Sequence, residues 1–360
     1  MADYDIGAAF QEIERELIAS LRRNLERYAD TTDFPMWQAE QLKSLEKFRQ
    51  ENAELFSGRF AEINSEVEKA LNEAYAKGDA AELKRIENAI ERGFITVKPS
   101  TAFFGVNEAR LQALVKATTN DLQSAETAML RMVNDVYRKT IFNAQAAYSS
   151  GAFTLRQSID MATKDFLARG INCVEYSNGA RVGIDSYAEM ALRTGNKRAK
   201  MQGETNARDE MGVNTVIVTK RGVACPRCIK YCGKVFYDDV YSDLPVPDEK
   251  YPRLSSAIQG GLYHPNCKDS HSTYFEGIST PPQSLTEAEI AEANRVYELQ
   301  QKQRYNERVI RKYKRLEAGS LDADNQARYG DKVKQWQAVQ RKFVKENGDV
   351  LRRDYSREQI

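Results

Sequence analysis

The sequence is poor in histidine, cysteine and proline, and it has no long apolar run. Its 360 residues include two histidines, five cysteines and nine prolines. Five cysteines are too few for a disulfide framework in a chain of this length. No segment approaches the roughly 18 consecutive apolar residues that a membrane span requires. The start, MADYDIGAAF, lacks the basic and apolar regions of a signal peptide. We therefore expect synthesis in the cytoplasm, reduced thiols and no membrane partner.

The sequence also lacks a strong excess of one charge. Lysine and arginine outnumber aspartate and glutamate by one, and charged residues make up 29% of the chain. This balance argues against a dedicated nucleic-acid coat protein, although local basic patches remain able to bind. No Walker, G-x-G-x-x-G or G-x-S-x-G pattern is present. A hydrophobic content of 41% beside so much charge indicates long solvated helices around a modest core.

Residues 1–150 show the three- and four-residue apolar spacing of helices throughout. The segment DTTDFP interrupts the first helix, and Asp33 is placed to cap the second. Gly78 and Gly93 are placed to end the next two helices. The first helix is predicted to bury one apolar face, formed by Ile6, Phe10, Ile13, Leu17, Leu21, Leu25 and Tyr28. We expect a helical N-terminal domain here.

Residues 151–280 change in character and predict a small α+β domain. A short helix is expected between Thr154 and Gly170, followed by a β-hairpin at INCVEYSNGARVGI with an Asn-Gly turn. Ser186 and Glu189 form a capping-box pattern that predicts the start of the next helix. The segment VNTVIVTK predicts a buried strand.

Residues 281–360 predict a polar helical C-terminal tail. Thr286 and Glu289 form a second capping-box pattern. The tract 302–315 holds seven basic residues and one acidic residue. Such a tract is usually a solvated helix face, but it also suits contact with DNA. The predicted fold class is therefore mostly α, with a small α+β zinc-stapled middle domain and long helices at both ends.

Both histidines and four of the five cysteines lie within residues 225–271. Cys225 and Cys228 form C-x2-C, and His264 and Cys267 form H-x2-C, with thirty-five residues between the two pairs. Two short pairs separated by a loop are the usual spacing of a structural zinc site. Four such ligands leave no open coordination position, which favours a structural ion over a catalytic one.

The residues leave alternatives open at this cluster. The cysteines are also compatible with reduced thiols or disulfides and no metal. Cys232 or His271 is able to replace one of the four ligands. A catalytic metal, as in a metal-dependent nuclease, would need an open position and a general base. The acids nearest in sequence are Asp269, Glu276, Asp238 and Asp239.

Several sequence blocks, and the order in which they follow one another, resemble the minor capsid, or head morphogenesis, proteins of tailed bacteriophages. This family is related to the minor head protein F of phage Mu. The blocks are SYAEMALRT, EMGVNTVIV, CPRC, GKVFYDDVYS, YPRLSSAIQGGLYHPNCKDSHSTYFEGIST and the polar tail with QRYNERVIRKYKRLEA. They cover about half of the chain, from roughly residue 170 onward. GGLYHPNC followed by TYFEG is the most specific of them.

The resemblance implies a structural component of the virion that acts near the portal vertex in head assembly, with portal and other head proteins as partners. It also implies that the C-x-x-C and H-P-x-C blocks hold a metal, here through Cys225, Cys228, His264 and Cys267. Cys232 lies outside those blocks. DNA contact through the tract 302–315, and a role in DNA packaging or delivery, remain open, as does the alternative of a metal-dependent nuclease.

Overall fold

The computed structural model describes residues 4–30, 33–91, 104–176, 179–219, 225–246, 250–264, 267–281 and 285–360. The predicted cap at Gly93 and the asparagine of the predicted hairpin turn lie outside these ranges. Within them, no helix combines the length and the apolar character that crossing a membrane demands.

Helices dominate the described residues, as the sequence predicts. Eight α-helices follow in chain order: α1 (Ile6–Glu26), α2 (Phe34–Glu91), α3 (Phe104–Ser149), α4 (Leu155–Arg169), α5 (Ile184–Glu210), α6 (Leu254–Gln259), α7 (Glu287–Gly319) and α8 (Ala323–Glu346). The predicted fold class is confirmed: the protein is mostly α-helical, with small sheets in its middle region and a cluster of cysteine and histidine side chains there.

The strands form two small antiparallel sheets. Strands β1 (Val174–Glu175) and β2 (Arg181–Val182) make the predicted hairpin. Strands β3 (Thr215–Val218), β4 (Val235–Tyr237) and β5 (His271–Thr273) form a sheet with β3 in the centre. Central strand β3 is the buried strand predicted from VNTVIVTK, and it flanks the cysteine-rich segment on the sequence.

The chain divides into two compact units, each assembled from separate segments. Unit one comprises Met1–Tyr4, Ser65–Asn120 and Met190–Glu298. Unit two comprises Asp5–Asn64, Asp121–Glu189 and Leu299–Ile360. The division into segments 1–150, 151–280 and 281–360 stays a prediction.

Helix α1 supplies an apolar face to the core of unit two. The predicted residues from Ile6 to Leu25 on this face are all buried, and the rings of Phe10 and Phe60 pack with centroids 6.4 Å apart. Tyr28 was placed on the same face, and that prediction is wrong, because 43% of its surface is exposed. Tyr28 lies beyond the last turn of α1, in the left-handed region with φ of 69°, so the helical spacing no longer directs its side chain.

The polar tail packs within unit two through buried ionic contacts. Arg315 of α7 lies 3.6 Å from the Glu14 carboxylate of α1, and its Nε donates to the Leu167 carbonyl at 3.0 Å. Arg311 pairs with Asp185 at 3.0 Å. Part of the basic tract 302–315 therefore joins helices α1, α4, α5 and α7 instead of facing solvent.

Unit one contains a close crossing of α2 and α5 at two glycines. A Cβ on Gly78 would overlap the Lys200 carbonyl oxygen, and one on Gly203 would overlap the Tyr75 carbonyl oxygen. The prediction that a helix ends at Gly78 is wrong, because α2 runs without a break from Phe34 to Glu91. This glycine permits two backbones to approach each other.

The starts of the helices follow the sequence in three of the four cases considered, namely at Asp33, Thr154 and Thr286 but not at Ser186. The Met36 N–H donates to Asp33 at the start of α2, and Thr154 forms a capping box before α4. Thr286 and Glu289 exchange the predicted capping-box hydrogen bonds at the start of α7. The box at Ser186 is wrong, because α5 already begins at Ile184 and Ser186 lies within its first turn.

Candidate metal centre

The candidate metal centre lies beside the small core of unit one. Val216, Val218 and Phe236 of the three-stranded sheet pack with Leu254 of α6, and Cys228 and Cys267 belong to the same buried cluster. The sheet and α6 therefore hold both thiols at fixed positions, although the two cysteines lie far apart in sequence.

A tight turn directs the first pair of ligands. The Cys225 carbonyl accepts hydrogen bonds from the N–H groups of Cys228 and Ile229, both at 3.0 Å. A short 3₁₀ helix, Ile229–Tyr231, continues from this turn. This geometry brings the two cysteine side chains of C-x2-C to one side, as a zinc ligand pair requires.

The second pair lies on another hydrogen-bonded turn. The Cys267 N–H donates to the His264 carbonyl at 2.9 Å, and the Asp269 N–H points at the Cys267 sulfur at 3.4 Å. Tyr263, which precedes the histidine, adopts a left-handed conformation with φ of 56°. Such a conformation in a bulky residue is uncommon and is held by its surroundings. Here the Tyr263 hydroxyl lies 3.0 Å from Nδ1 of His271.

The four residues predicted as ligands fall into two neighbouring groups that share Cys228. Cys225 Sγ lies 3.0 Å from His264 Nε2, and Cys228 Sγ lies 3.4 Å from Cys267 Sγ. Among the described residues, two groups have ligand atoms within 4.8 Å of one another: Cys225 with Cys228 and His264, and Cys228 with Cys267 and Asp269. Cys228 belongs to both groups and links the two pairs.

The donor set suits a zinc ion. Three thiolates and one imidazole are a common structural zinc set, with Zn–S bonds of about 2.3 Å. Tetrahedral ligands at that length lie about 3.8 Å apart, close to the 3.4 Å between Cys228 Sγ and Cys267 Sγ. The separation of these two thiols therefore suits a shared ion. These residues are able to hold a metal, and which of them do so stays a prediction.

Charge around the thiols favours a thiolate at Cys267. A hydrogen bond with Cys228 and the positive charge of Lys197 lower the pKa of Cys267 to about 6. The same hydrogen bond and burial raise the pKa of Cys228. Burial in turn lowers the pKa of Lys197, whose Nζ lies 4.0 Å from the centre of the Tyr263 ring. A deprotonated thiol beside a cation is the state from which metal binding starts.

Lys197 is the residue near this centre that sequence reasoning missed. It lies on α5, well before either ligand pair, and carries no local motif. Together with His264 and Cys267 it lines a cavity of about 220 Å³ that also involves Arg198, Tyr241 and Tyr263. Only the folded arrangement of α5 beside the ligand turns could reveal this neighbour.

Cys232 and His271, the two spare ligand candidates, have other contacts. Neither belongs to the two ligand groups found in the part of the chain that the structure describes. Cys232 Sγ donates to the Cys228 carbonyl at 3.6 Å. His271 is 2% exposed on strand β5, and burial lowers its pKa to about 3, so the imidazole is neutral at physiological pH.

The nearby acids, apart from Asp269, are held in separate contacts. Asp238 is fully buried and lies 2.5 Å from the Arg208 guanidinium. Asp239 accepts hydrogen bonds from the N–H and hydroxyl of Ser255. Glu276 pairs with Lys250 at the surface. None of these three belongs to the ligand groups among the described residues.

The fold and site define a mostly helical protein with a small sheet beside a cluster of cysteine and histidine side chains. Residues 4–345 match the family described as Phage minor capsid protein 2. Because the match covers most of its length, the chain belongs to this family of phage minor capsid proteins. The resemblance found in the sequence is thereby confirmed.

Two phage proteins are similar to the chain. A structural protein of Lactococcus phage LL-H is 26% identical over 230 residues, which are 62% of this chain and 61% of that protein. A structural protein of Lactococcus phage mv4 is 36% identical over 117 residues, which are 31% of this chain and 93% of that protein. The chain thus spans less than two thirds of the first of these relatives. No solved structure matches it.

Proposed function

We propose that this protein is a structural component of the phage virion that acts near the portal vertex during head assembly. Its match to the minor capsid family over residues 4–345 carries the proposal. The two similar phage proteins are both structural proteins, which supports the same role. In this proposal the chain is made in the host cytoplasm, enters the head, and contacts portal and other head proteins.

We further propose that a structural zinc ion joins Cys225, Cys228, His264 and Cys267. The two ligand turns lie at opposite ends of a segment that contains β4 and α6. A single ion would therefore close this segment beside central strand β3, in addition to the apolar contacts of the small core. Asp269 would then lie beside the ligand set without joining it, with its carboxylate 3.6 Å from the Cys267 sulfur.

The burial of the candidate catalytic residues supports a structural role. A nuclease would need a general base that a phosphodiester can reach. His271 is 2% exposed and Asp269 is 3% exposed. Because both side chains are enclosed, we propose that the protein acts without catalysis. A nuclease assay of purified protein, with Asp269→Ala and His271→Ala as controls, checks this directly.

Quantitative mass spectrometry of purified DNA-filled particles tests the proposed function. The expected result is a few copies per portal ring, with crosslinks between this chain and portal protein. Absence from particles despite expression during infection contradicts the virion role. Hundreds of copies per particle would contradict the portal-vertex location, because a single vertex cannot hold them.

DNA packaging or delivery through the tract 302–315 is the finer part of the proposal. Three of its cations have partners inside unit two: Arg311 with Asp185, Arg315 with Glu14 and Lys314 with Gln359. Contact with DNA would therefore depend on the remaining cations of α7.

A further inference from the structure

Unit two contains a segment with a clear excess of positive charge. Residues 299–360 contain sixteen lysines and arginines against nine aspartates and glutamates. The whole chain has an excess of only one. The rest of the chain is therefore net acidic, and the positive charge is concentrated in α7, α8 and the residues after them.

Several cations of this segment point outward without an acidic partner. Lys302 and Arg308 of α7 and Lys332 of α8 are all exposed. None of the three forms an ion pair with a carboxylate within the described residues, whereas Lys334 and Lys342 do so with Asp331 and Glu346. Unpaired surface cations are the groups that attract a polyanion.

Aromatic side chains lie between these cations. The Tyr305 and Trp336 rings meet edge to face with centroids 6.1 Å apart, and 52% of Tyr305 is exposed. Lys302 Nζ lies 5.2 Å from the centre of the Phe343 ring. Trp336 and Phe343 are half-buried. Each of these contacts joins a residue of α7 to a residue of α8.

Two contacts between the helices, Tyr305 with Trp336 and Lys302 with Phe343, anchor a surface that we name the α7–α8 ribbon. Its residues are Lys302, Tyr305, Arg308, Lys332, Trp336 and Phe343. Steps of three and four residues, or their sums, keep each helix's members on one side of that helix. On α8 the outermost members, Lys332 and Phe343, are eleven positions apart, or about 16 Å along the helix axis. The ribbon thus combines cations and rings along two antiparallel helices.

We propose that the α7–α8 ribbon binds single-stranded DNA. The cations match backbone phosphates, and exposed or half-buried rings offer faces and edges for unpaired bases. A duplex keeps its bases stacked and would use the cations alone. An acidic protein would match the charge but gives no reason for the rings. The inference rests on the proposed function in one respect: it names a partner for a protein that is proposed to belong to the virion.

The test is fluorescence anisotropy of the full chain with labelled oligothymidine over a series of salt concentrations. Lys302→Gln/Arg308→Gln/Lys332→Gln should weaken binding and make the log–log salt slope shallower by about 2, at about 0.7 per phosphate contact on a single strand. Tyr305→Leu keeps an apolar contact with Trp336 but removes the ring. It should weaken binding about five-fold or more.

Matched controls separate the ribbon from general charge. Lys116→Gln/Lys139→Gln/Lys164→Gln removes the same charge at exposed helical positions elsewhere and should leave the affinity within about two-fold. Tyr355→Leu removes another exposed tyrosine, 63% exposed, and should also leave binding unchanged. Circular dichroism of each variant shows that its helices are intact.

Three results would overturn the inference. The first is an affinity for a duplex of the same length that equals the affinity for oligothymidine, with no effect of Tyr305→Leu. The second is an equal affinity for polyglutamate. The third is an equal loss of oligothymidine affinity in the ribbon variants and the control variants. The proposed function is tested separately, because presence in purified particles does not depend on binding DNA in solution. If the protein is present in particles but does not bind oligothymidine, only the proposal for the α7–α8 ribbon is refuted.

Discussion

Gly78 of α2 lies directly against the backbone carbonyl of Lys200 in α5. A Cβ added at Gly78 would overlap that oxygen, and Gly203 on the other helix has the same relationship with Tyr75. Two glycines therefore set the closest approach of the two helices in unit one. In isolation, a glycine in the middle of a helix is a cost of about 1 kcal/mol relative to alanine.

The close crossing of α2 and α5 predicts that a glycine-to-alanine change has opposite effects on stability at two positions of α2. Gly78→Ala should lower the free energy of unfolding by about 1–3 kcal/mol, because its methyl group must push α5 away. Gly58→Ala should raise the free energy of unfolding by up to about 1 kcal/mol, because nothing lies within 4 Å of its Cβ position. Urea unfolding of both variants measures the difference. Stabilisation by Gly78→Ala would contradict the close crossing.

Replacement of a zinc ligand should remove the metal and loosen unit one. Cys225→Ser and Cys267→Ser are expected to lower zinc below one ion per chain and to cost several kcal/mol of stability, because binding energy at a structural site is also folding energy. Elemental mass spectrometry and thermal unfolding measure both effects.

Two other cysteines supply controls for the zinc experiment. Cys173→Ser changes a half-buried thiol in unit two, and Cys232→Ser changes a buried thiol that donates to the Cys228 carbonyl. Both variants should keep their full zinc content. Unchanged metal in the Cys225 and Cys267 variants, or loss in the Cys232 variant, would show that the ligand set is wrong.

The loss of one partner of the Glu14–Arg315 ion pair should lower the free energy of unfolding more than the loss of both. Both side chains are buried, and burial raises the pKa of Glu14 while Arg315 lowers it. Arg315→Met should cost about 3–5 kcal/mol, because it leaves the carboxylate without its cation. Glu14→Gln/Arg315→Met should recover much of that loss. A double-mutant cycle by urea unfolding measures the coupling, with exposed Arg308→Met expected to change stability by less than about 0.5 kcal/mol.

Glu126 should make unit two less stable as the pH rises from about 4.5 to about 7. Burial raises the pKa of this carboxyl to about 7 against an ordinary value of 4.5, although Asn64 donates to it at 3.0 Å. The folded state therefore holds its proton more tightly than the unfolded state. The stabilisation by that proton is complete below pH 4.5 and is lost as pH rises through 7.

The comparison of Glu126→Gln with the wild type isolates this carboxyl from other titrating groups. The variant should be more stable by about 1–3 kcal/mol at pH values above 7, and the advantage should shrink toward pH 4.5. Unfolding curves across this range measure it. A difference that does not change with pH would contradict the raised pKa.

The parts of the fold that the sequence predicts depend on local interactions. Thr154, Gly170 and Thr286 act within one turn of the helix that each delimits, so their patterns could be recognised directly. The role of Gly78 has no local signal, because the backbone that it approaches lies in another helix about 120 residues away. The same is true of Arg315, whose partner Glu14 is about 300 residues away.

The candidate site also has a part that local sequence predicts and a part that only tertiary packing determines. The C-x2-C and H-x2-C spacings are local, and the structure brings their side chains together. The position of Lys197 beside Cys267 depends on how α5 packs near the sheet, and no short pattern encodes that. The burial of His271, which removes it as an accessible base, also follows only from the sheet that surrounds it.

The composition of unit two has a consequence for how the protein is synthesised. Helix α1 leaves the ribosome well before α7, because Arg315 follows Glu14 by 301 residues. At about 5–20 residues per second, the partner arrives roughly 15–60 s later. During that interval the apolar face of α1 has no completed core to enter. We therefore expect nascent chains stalled before α7 to bind host chaperones, and chains released after α8 to let them go.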